Sequence, residues 1–548
     1  MRVGKYIFIA SAVMSCAVAF AQEKKIDTLE FNVVSKYRPV ITDAVKLNDN
    51  PAIADTIKPK RKAEYNNLVN TQFPTYYTPD AIDAIRMKGE PLEKLYRSYL
   101  ALGGGNYNTL YGEYFFNCLR SKDFDYGIHL NHLSSDATLS NSGYAGYAYN
   151  DINLWGDTYF QNHILYGQLD FDNHGVNDYG YNPAENTITN RYAFYQAFNN
   201  IGGSLDFKSD YKDSTGLINH DINVAYYNFD DYYSSSENNF TIKAHAFTYY
   251  DKQRIDIKLI ADYHNEKSAK QDTLSTLNLG INPYFTANGK HWDARLGLKV
   301  YYDAQNKFTP LPDFKAKYHF ADDAVTIYAG IDGDKTFNGY KALAAMNPFI
   351  QDTVNMKYTI TPVHFFGGVA GYITPQITYN ASAFWSEIKE MPLFVTDTLE
   401  LFQNRFAVVY DNVKEINGHL DVSYLMKDNI KFTLSGDYYN YTPMDQLKVW
   451  YHPNMQISLL GNYVYQKFTF RAAFYYLGVQ YAPISVDGQV AAKQINGYPD
   501  LNVGCDFHCN RLLTAFVNLN NLANVSYQRW LNYPTQGFNA MVGVKLAF

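Results

Sequence analysis

Cysteine is nearly missing from this chain, with four residues in 548. Cys16 sits in an apolar leader, so Cys118, Cys505 and Cys509 are what remains beyond it. An odd and sparse set excludes a disulfide framework. The GCDFHC stretch around Cys505 and Cys509 invites a metal reading, but on a strand the two thiols stand four residues, roughly 13 Å, apart. They share a face with Leu501, Val503 and Phe507, while Asp506 and His508 point the other way, so they do not converge on one ion. Long hydrophobic runs are also lacking. Past the leader no uninterrupted apolar stretch reaches the roughly 18 residues of a spanning helix, and a mean hydropathy of -0.34 excludes a helical membrane protein. Charge of one sign is lacking too: 47 basic against 54 acidic residues give a net -7. No basic field for nucleic acid follows from that balance. Catalytic signatures are absent. There is no G-x-S-x-G, and Gly103-Gly104-Gly105 falls at the first strand, where glycine permits close backbone approach rather than phosphate binding. His129, His132, His163 and His174 cluster early without the spacing of a metal site. No catalytic residue, cofactor or metal is expected.

Aromatics are abundant: 17% of residues, with 51 tyrosines. Tyrosine suits places where one end is apolar and the other wet, such as a membrane interface. From about Leu95 onward, segments of about ten residues alternate in polarity between Asn-, Asp- and Gly-rich turns. In RIDIKLIADYH, Ile255, Ile257, Leu259, Ala261 and Tyr263 oppose Asp256, Lys258, Asp262 and His264. In WDARLGLKVYYD, Ala294, Leu296, Leu298, Val300 and Tyr302 oppose Arg295, Gly297, Lys299 and Asp303. ITYNASAFW, FTIKAHAFT and FTFRAAFYY repeat the scheme, the last two around Lys243, His245 and Arg471. A dry core does not tolerate unpaired charge on strand after strand, whereas a wet lumen does. The tyrosine pairs 226–227, 249–250, 301–302 and 475–476 read as aromatic girdles. The final segment alternates cleanly, with Phe538, Ala540, Val542, Val544, Leu546 and Phe548 on one face, and the chain stops on that aromatic. The fold class is therefore all-β, a transmembrane antiparallel β-barrel of about 22 strands with a short N-terminal periplasmic or lumenal segment. A barrel of roughly 14 to 18 strands would need longer loops.

The front divides in two. Arg2 and Lys5 precede an apolar run to Phe20, and Ala19-Phe20-Ala21 forms a cleavage site, so residues 1–21 read as an export signal. Val13-Met14-Ser15-Cys16 is the lesser alternative, a lipoprotein box. Residues 22–90 carry Pro39, Pro51, Pro59, Pro74 and Pro79, a basic cluster over 58–62 and a short helix over 80–88 entered through Thr78-Pro79. Residues 91–548 are the barrel.

The last hundred residues resemble the closing strands of TonB-dependent outer-membrane receptors. The stretch Val517-Asn518-Leu519-Asn520-Asn521-Leu522, then Tyr527, and the terminal Phe548 occupy matching places. The resemblance implies 22 strands, an outer-membrane location in a Gram-negative cell, surrounding lipid as a partner, and a C-terminal signal (Val544, Leu546, Phe548) read by the barrel-assembly machinery. Thr28, Leu29, Glu30, Phe31, Asn32, Val33 and Val34 resemble a TonB box, an extended peptide captured by strand addition. The front departs from the family, because residues 22–90 are too short for its plug domain and lack its Arg-Gly motif. With Lys36–Pro39 and Asp43–Lys46 the chain is most similar to plug-poor relatives from Bacteroidetes. Two functions are expected. One is solute uptake through a lumen lined by Lys243, Arg295, Lys299, Arg471 and Lys545; the other is a non-transporting anchor for a periplasmic or surface partner. A 22-stranded bore is wide enough to need filling, by residues 22–90, by loops or by a partner.

Overall fold

The computed structural model describes residues 95–548, apart from 120, 184–187, 189, 191, 212–216, 269–272, 306, 322–323, 398–401 and 428. The expected export signal, the segment 22–90 and the TonB-box-like peptide Thr28–Val34 lie outside the described residues.

Twenty-two strands form one antiparallel sheet, from Ser98–Gly105 to Asn539–Ala547. The first strand pairs with the last, Leu102 opposite Val544 and Gly103 opposite Gly543, so the sheet closes on itself and has no edge. Both ends of this sheet lie on the same side, along with turns as short as residues 251–252 and 466–467. Longer connections, 338–357, 444–454, 478–497 and 521–538, gather at the other end. In outer-membrane barrels the short turns face the periplasm and the longer loops face outside. Those long connections carry the helix Tyr340–Met346 and the small hairpin Gln480–Val486 with Gln489–Ile495.

Alternation decides which side chain meets which medium. On strand Gln253–Lys267, Ile255, Ile257, Leu259 and Tyr263 are exposed on the outer face, while Asp256 and His264 are buried on the inner one. Leu296 and Leu298 stand outward on Trp292–Asp303, and Val542, Val544 and Phe548 do the same at the C-terminus. Strand length departs from expectation. Phe406–Met426 runs for 21 residues and Ile377–Thr396 for 20, twice the crossing length, so their loop-side ends rise beyond the bilayer. A register shift between Ile388 and Met391, with Glu390 at φ 53, bends the wall there.

The tyrosine pairs need a correction. Neighbouring residues on a strand face opposite sides, so one partner of each pair points inward. Tyr250 is exposed on the outer face, but Tyr475 shares the lumenal face with Arg471, Tyr227 is buried against Glu237, and Tyr301 bonds to Asp334 on the inner wall.

Candidate functional site: a bridged barrel mouth above a polar wall

The long loops are not polar ornaments. Trp450, Phe406, Leu343 and Leu393 are at most 2% exposed, and they pack with Phe349, Ile350, Trp530 and Tyr533 into one apolar core at the loop end. Each fully buried apolar side chain of this size contributes about 1.5–3 kcal/mol, which gives the loops a hydrophobic core shared with strand-end residues such as Leu393 and Phe406. Rings hold the centre: Phe349 stacks on Tyr533 at 4.0 Å between centroids, and Trp530 lies 5.2 Å from Phe394 and 4.8 Å from Tyr451. Backbone pairing adds to it. Gln351 N–H donates to Phe406 O and Phe406 N–H to Phe349 O, at 3.0 and 2.9 Å, and Tyr451 N–H donates to Tyr481 O at 2.9 Å.

One ion pair fixes the scale of this assembly. Asp178 directly follows the fifth strand and Arg405 directly precedes the sixteenth, so their strands are eleven places apart in a ring of 22, diametrically opposed. A ring of this size is roughly 40 Å across. Yet Arg405 Nε donates to Asp178 Oδ2 at 2.7 Å, with the Asp178 side chain buried and that of Arg405 nearly so. Asn404 Nδ2 donates to Asp178 O, Tyr533 hydroxyl to Asn404 O, and Tyr179 hydroxyl to Pro534 O. Loops from opposite walls therefore meet over the mouth. Burial alone would lower the Arg405 pKa, but the Asp178 carboxylate beside it holds it above the ordinary guanidinium value. Tyr340 donates to Asp231 Oδ2 at 2.7 Å, and its burial, reinforced by that carboxylate, pushes its pKa well up. Burial pulls Lys341 down to about 8, against the opposing pull of Asp172, Glu237 and Asp170.

Below this bridge the inner wall is a lattice of ion pairs. Lys243, Arg295 and Lys299 border one cavity of ≈ 600 Å³, together with Lys258, Lys315 and Asp313. Arg295 pairs with Asp313 at 2.6 Å, and Lys299 Nζ donates to Gly333 O at 2.7 Å. Arg471 and Lys545 form a second group on the other flank of the closing seam. Both reach Asp506, at 2.6 and 2.7 Å, and Arg471 reaches Asn518 as well. The five cations named from sequence thus fall into two separate clusters rather than one track. The early histidines also part company: His129 binds Glu113, His132 binds Asn150, His174 binds Asp151 and His163 stacks on Phe207. Cys505 and Cys509 are free thiols. Sequence reasoning placed His264 on the polar face but did not join it to Glu237 and Glu266, whose ligand atoms lie with its own within 4.8 Å of one another. It also missed Asp178, Arg405 and the loop aromatics. Of these, only the His264 and Glu266 spacing of two, which puts both on one face, was visible in the chain.

No protein-family model matches the sequence, and no curated protein sequence matches it either. Solved structures do resemble it in fold. The FrpB iron transporter from Neisseria meningitidis aligns with a TM-score of 0.64 at 12% identity, over 83% of this chain and 83% of that one. The pyoverdine outer-membrane receptor FpvA from Pseudomonas aeruginosa gives 0.62 at 10%, over 84% and 79%. The siderophore receptor PirA from Acinetobacter baumannii gives 0.64 at 10%, over 84% and 81%. Identity at this level establishes a shared barrel and nothing finer.

Proposed function

We propose that this chain is an outer-membrane receptor-type barrel that takes up a solute through a bore gated by its surface loops. The observation that carries the reading is the contact between Asp178 and Arg405. A barrel whose opposite walls are joined over the mouth by a packed but loop-borne core has a closed state, and a route to opening that leaves the wall intact. The polar, ion-paired inner face supports an aqueous path, and the solved neighbours are named as iron transporters and siderophore receptors. Iron limitation, and copper limitation after the neighbour named as the copper transporter OprC, is accordingly where induced expression and uptake belong.

In this reading residues 1–21 direct export and Val544, Leu546 and Phe548 are the signal read by the assembly machinery. Thr28–Val34 offers an extended peptide for TonB, captured by strand addition. Residues 22–90 act as a reduced plug in a plug-poor, Bacteroidetes-type receptor. Lys243, Arg295, Lys299, Arg471 and Lys545, with the carboxylates they face, set the electrostatics met by a passing solute.

Planar-bilayer conductance tests it. Four chains are compared: the mature protein and a chain starting at Glu90, each with and without Arg405→Ala. Stable conductance is expected only where both the front segment and the bridge are removed, and closed behaviour in the other three. If the shortened, bridge-cut barrel folds yet stays silent, the uptake reading falls and a non-transporting anchor replaces it.

A further inference from the structure

At the loop-side ends of the strands Ser236–Tyr250 and Gln253–Lys267, Glu237 lies directly opposite Glu266, and Asn239 opposite His264. Like charges in direct cross-strand register repel, and here they do so out of water. Glu237, His264 and Glu266 are all buried. Glu266 is the telling member. Both of its carboxylate oxygens are buried and lack a hydrogen bond of ordinary geometry; the Tyr340 backbone N–H and the facing Glu237 carboxylate are its polar neighbours, so a full charge there costs several kcal/mol unless something positive balances it.

His264 is set up to supply a lone pair to the same spot. The Asn239 amide nitrogen lies within reach of Asp262 Oδ1, His264 Nε2 and Tyr263 O, at 2.7, 3.0 and 3.2 Å. His264 Nε2 lies 3.0 Å from Asp262 Oδ2, and a proton donated to that carboxylate leaves Nδ1 as the nitrogen able to ligate. Its other nitrogen, Nδ1, lies 3.0 Å from Glu237 Oε1, a hydrogen bond while Nδ1 carries a proton and a pair of adjacent ligand atoms once an ion replaces that proton. A carboxylate behind a histidine whose other nitrogen faces a further carboxylate is the arrangement that orients a metal ligand. Glu237 is held in turn by the Tyr227 hydroxyl and by the backbone N–H of Lys341, at 2.8 Å for the latter.

We propose that Glu237, His264 and Glu266 bind a resident divalent transition-metal ion, zinc being the best match, which ties the barrel wall to the loop helix Tyr340–Met346. One imidazole and two carboxylates fit first-row divalent cations. Calcium and magnesium prefer a shell of six or more oxygens and have no use for the imidazole. The ion bridges two facing glutamates whose repulsion would otherwise loosen the strand ends. Through Glu237 it also holds the start of the helix that carries the buried Tyr340 and Leu343 into the loop core. The competing arrangement is an imidazolium between carboxylates, with a proton shared by the glutamates and no metal.

The test uses the full chain, purified in detergent, stripped with a chelator and then titrated with zinc alone. The wild type is expected to hold about one zinc per chain. Glu266→Gln is expected to lose it, and Asp262→Asn to bind about 10–100-fold more weakly. Folding of each variant is followed by the gel-mobility shift between boiled and unboiled samples. Should Glu266→Gln fail to fold, zinc X-ray absorption on the wild type decides, with one imidazole nitrogen and oxygens at about 2.0–2.2 Å expected. Absence of stoichiometric zinc in the wild type, equal affinity in folded Glu266→Gln, or a shell without imidazole establishes the metal-free network instead. None of these readouts depends on whether the barrel conducts.

Discussion

Arg405 and Asp178 show how much a single pair can weigh when both members are out of water. Removing one partner leaves the other charged, buried and unmatched, which costs about 3–5 kcal/mol, whereas replacing both by apolar groups of similar size is often neutral. Arg405→Ala is therefore expected to loosen the chain around Asp178, Asn404 and Tyr533 together, because Asn404 and Tyr533 hang on the same bridge. The double change Asp178→Leu with Arg405→Met is expected to recover most of that loss. Hydrogen exchange in the loop peptides checks it. If the single variant exchanges as slowly as the wild type, or the double variant faster than the single, the bridge is not what holds the mouth.

At the scale of elements, the closing seam is the least forgiving part of the wall. Gly543 faces Gly103 across the pair of first and last strands, and the Phe516 ring of the neighbouring strand lies over both. A Cβ at Gly543 collides with the Leu102 carbonyl, which is backbone and cannot step aside, and with the Phe516 ring. Gly543→Val is expected to cost about 1–3 kcal/mol as overpacking and to lower the temperature at which the folded gel band is lost. Val542→Ile, next door on the lipid face, is expected to leave that temperature unchanged. The same contrast explains what was legible beforehand. Val542, Val544 and Phe548 announced an outward apolar face because strand period two is written locally, and repetition of that pattern from Ser98 onward gave the strand number. The Arg405 contact with Asp178 was not legible: 227 residues separate them, and neither stretch has a period. Trp450 likewise sits in an irregular loop and Trp530 in a three-residue strand within another, where a buried aromatic and an exposed one look alike in sequence. Glu237 needed the register of two strands before it could be placed opposite Glu266. The overlong strands were misjudged because alternation continues unchanged where the wall leaves the bilayer.

For the molecule as a whole, wall and mouth are built on different physics and are expected to come apart at different points. Every wall strand is hydrogen-bonded on both sides in a closed ring, so no strand opens without breaking two ladders. The loop assembly rests on apolar packing, ring contacts and a few buried pairs, and such regions open at lower free energy than a continuous sheet. Tryptophan separates the two conveniently. Of the five in the chain, Trp450 and Trp530 lie in the loop core, while Trp155, Trp292 and Trp385 stand on wall strands. With those three replaced by Phe, fluorescence reports the mouth alone and far-ultraviolet circular dichroism reports the wall. In detergent the fluorescence change is expected at clearly lower urea than the loss of β signal. A receptor that admits a solute from outside must move its loops without spending the stability of its barrel, and two separate transitions are the thermodynamic form of that requirement. A single coincident transition would mean that mouth and wall are one cooperative unit, and gating by the loops would then have no free-energy room in which to occur.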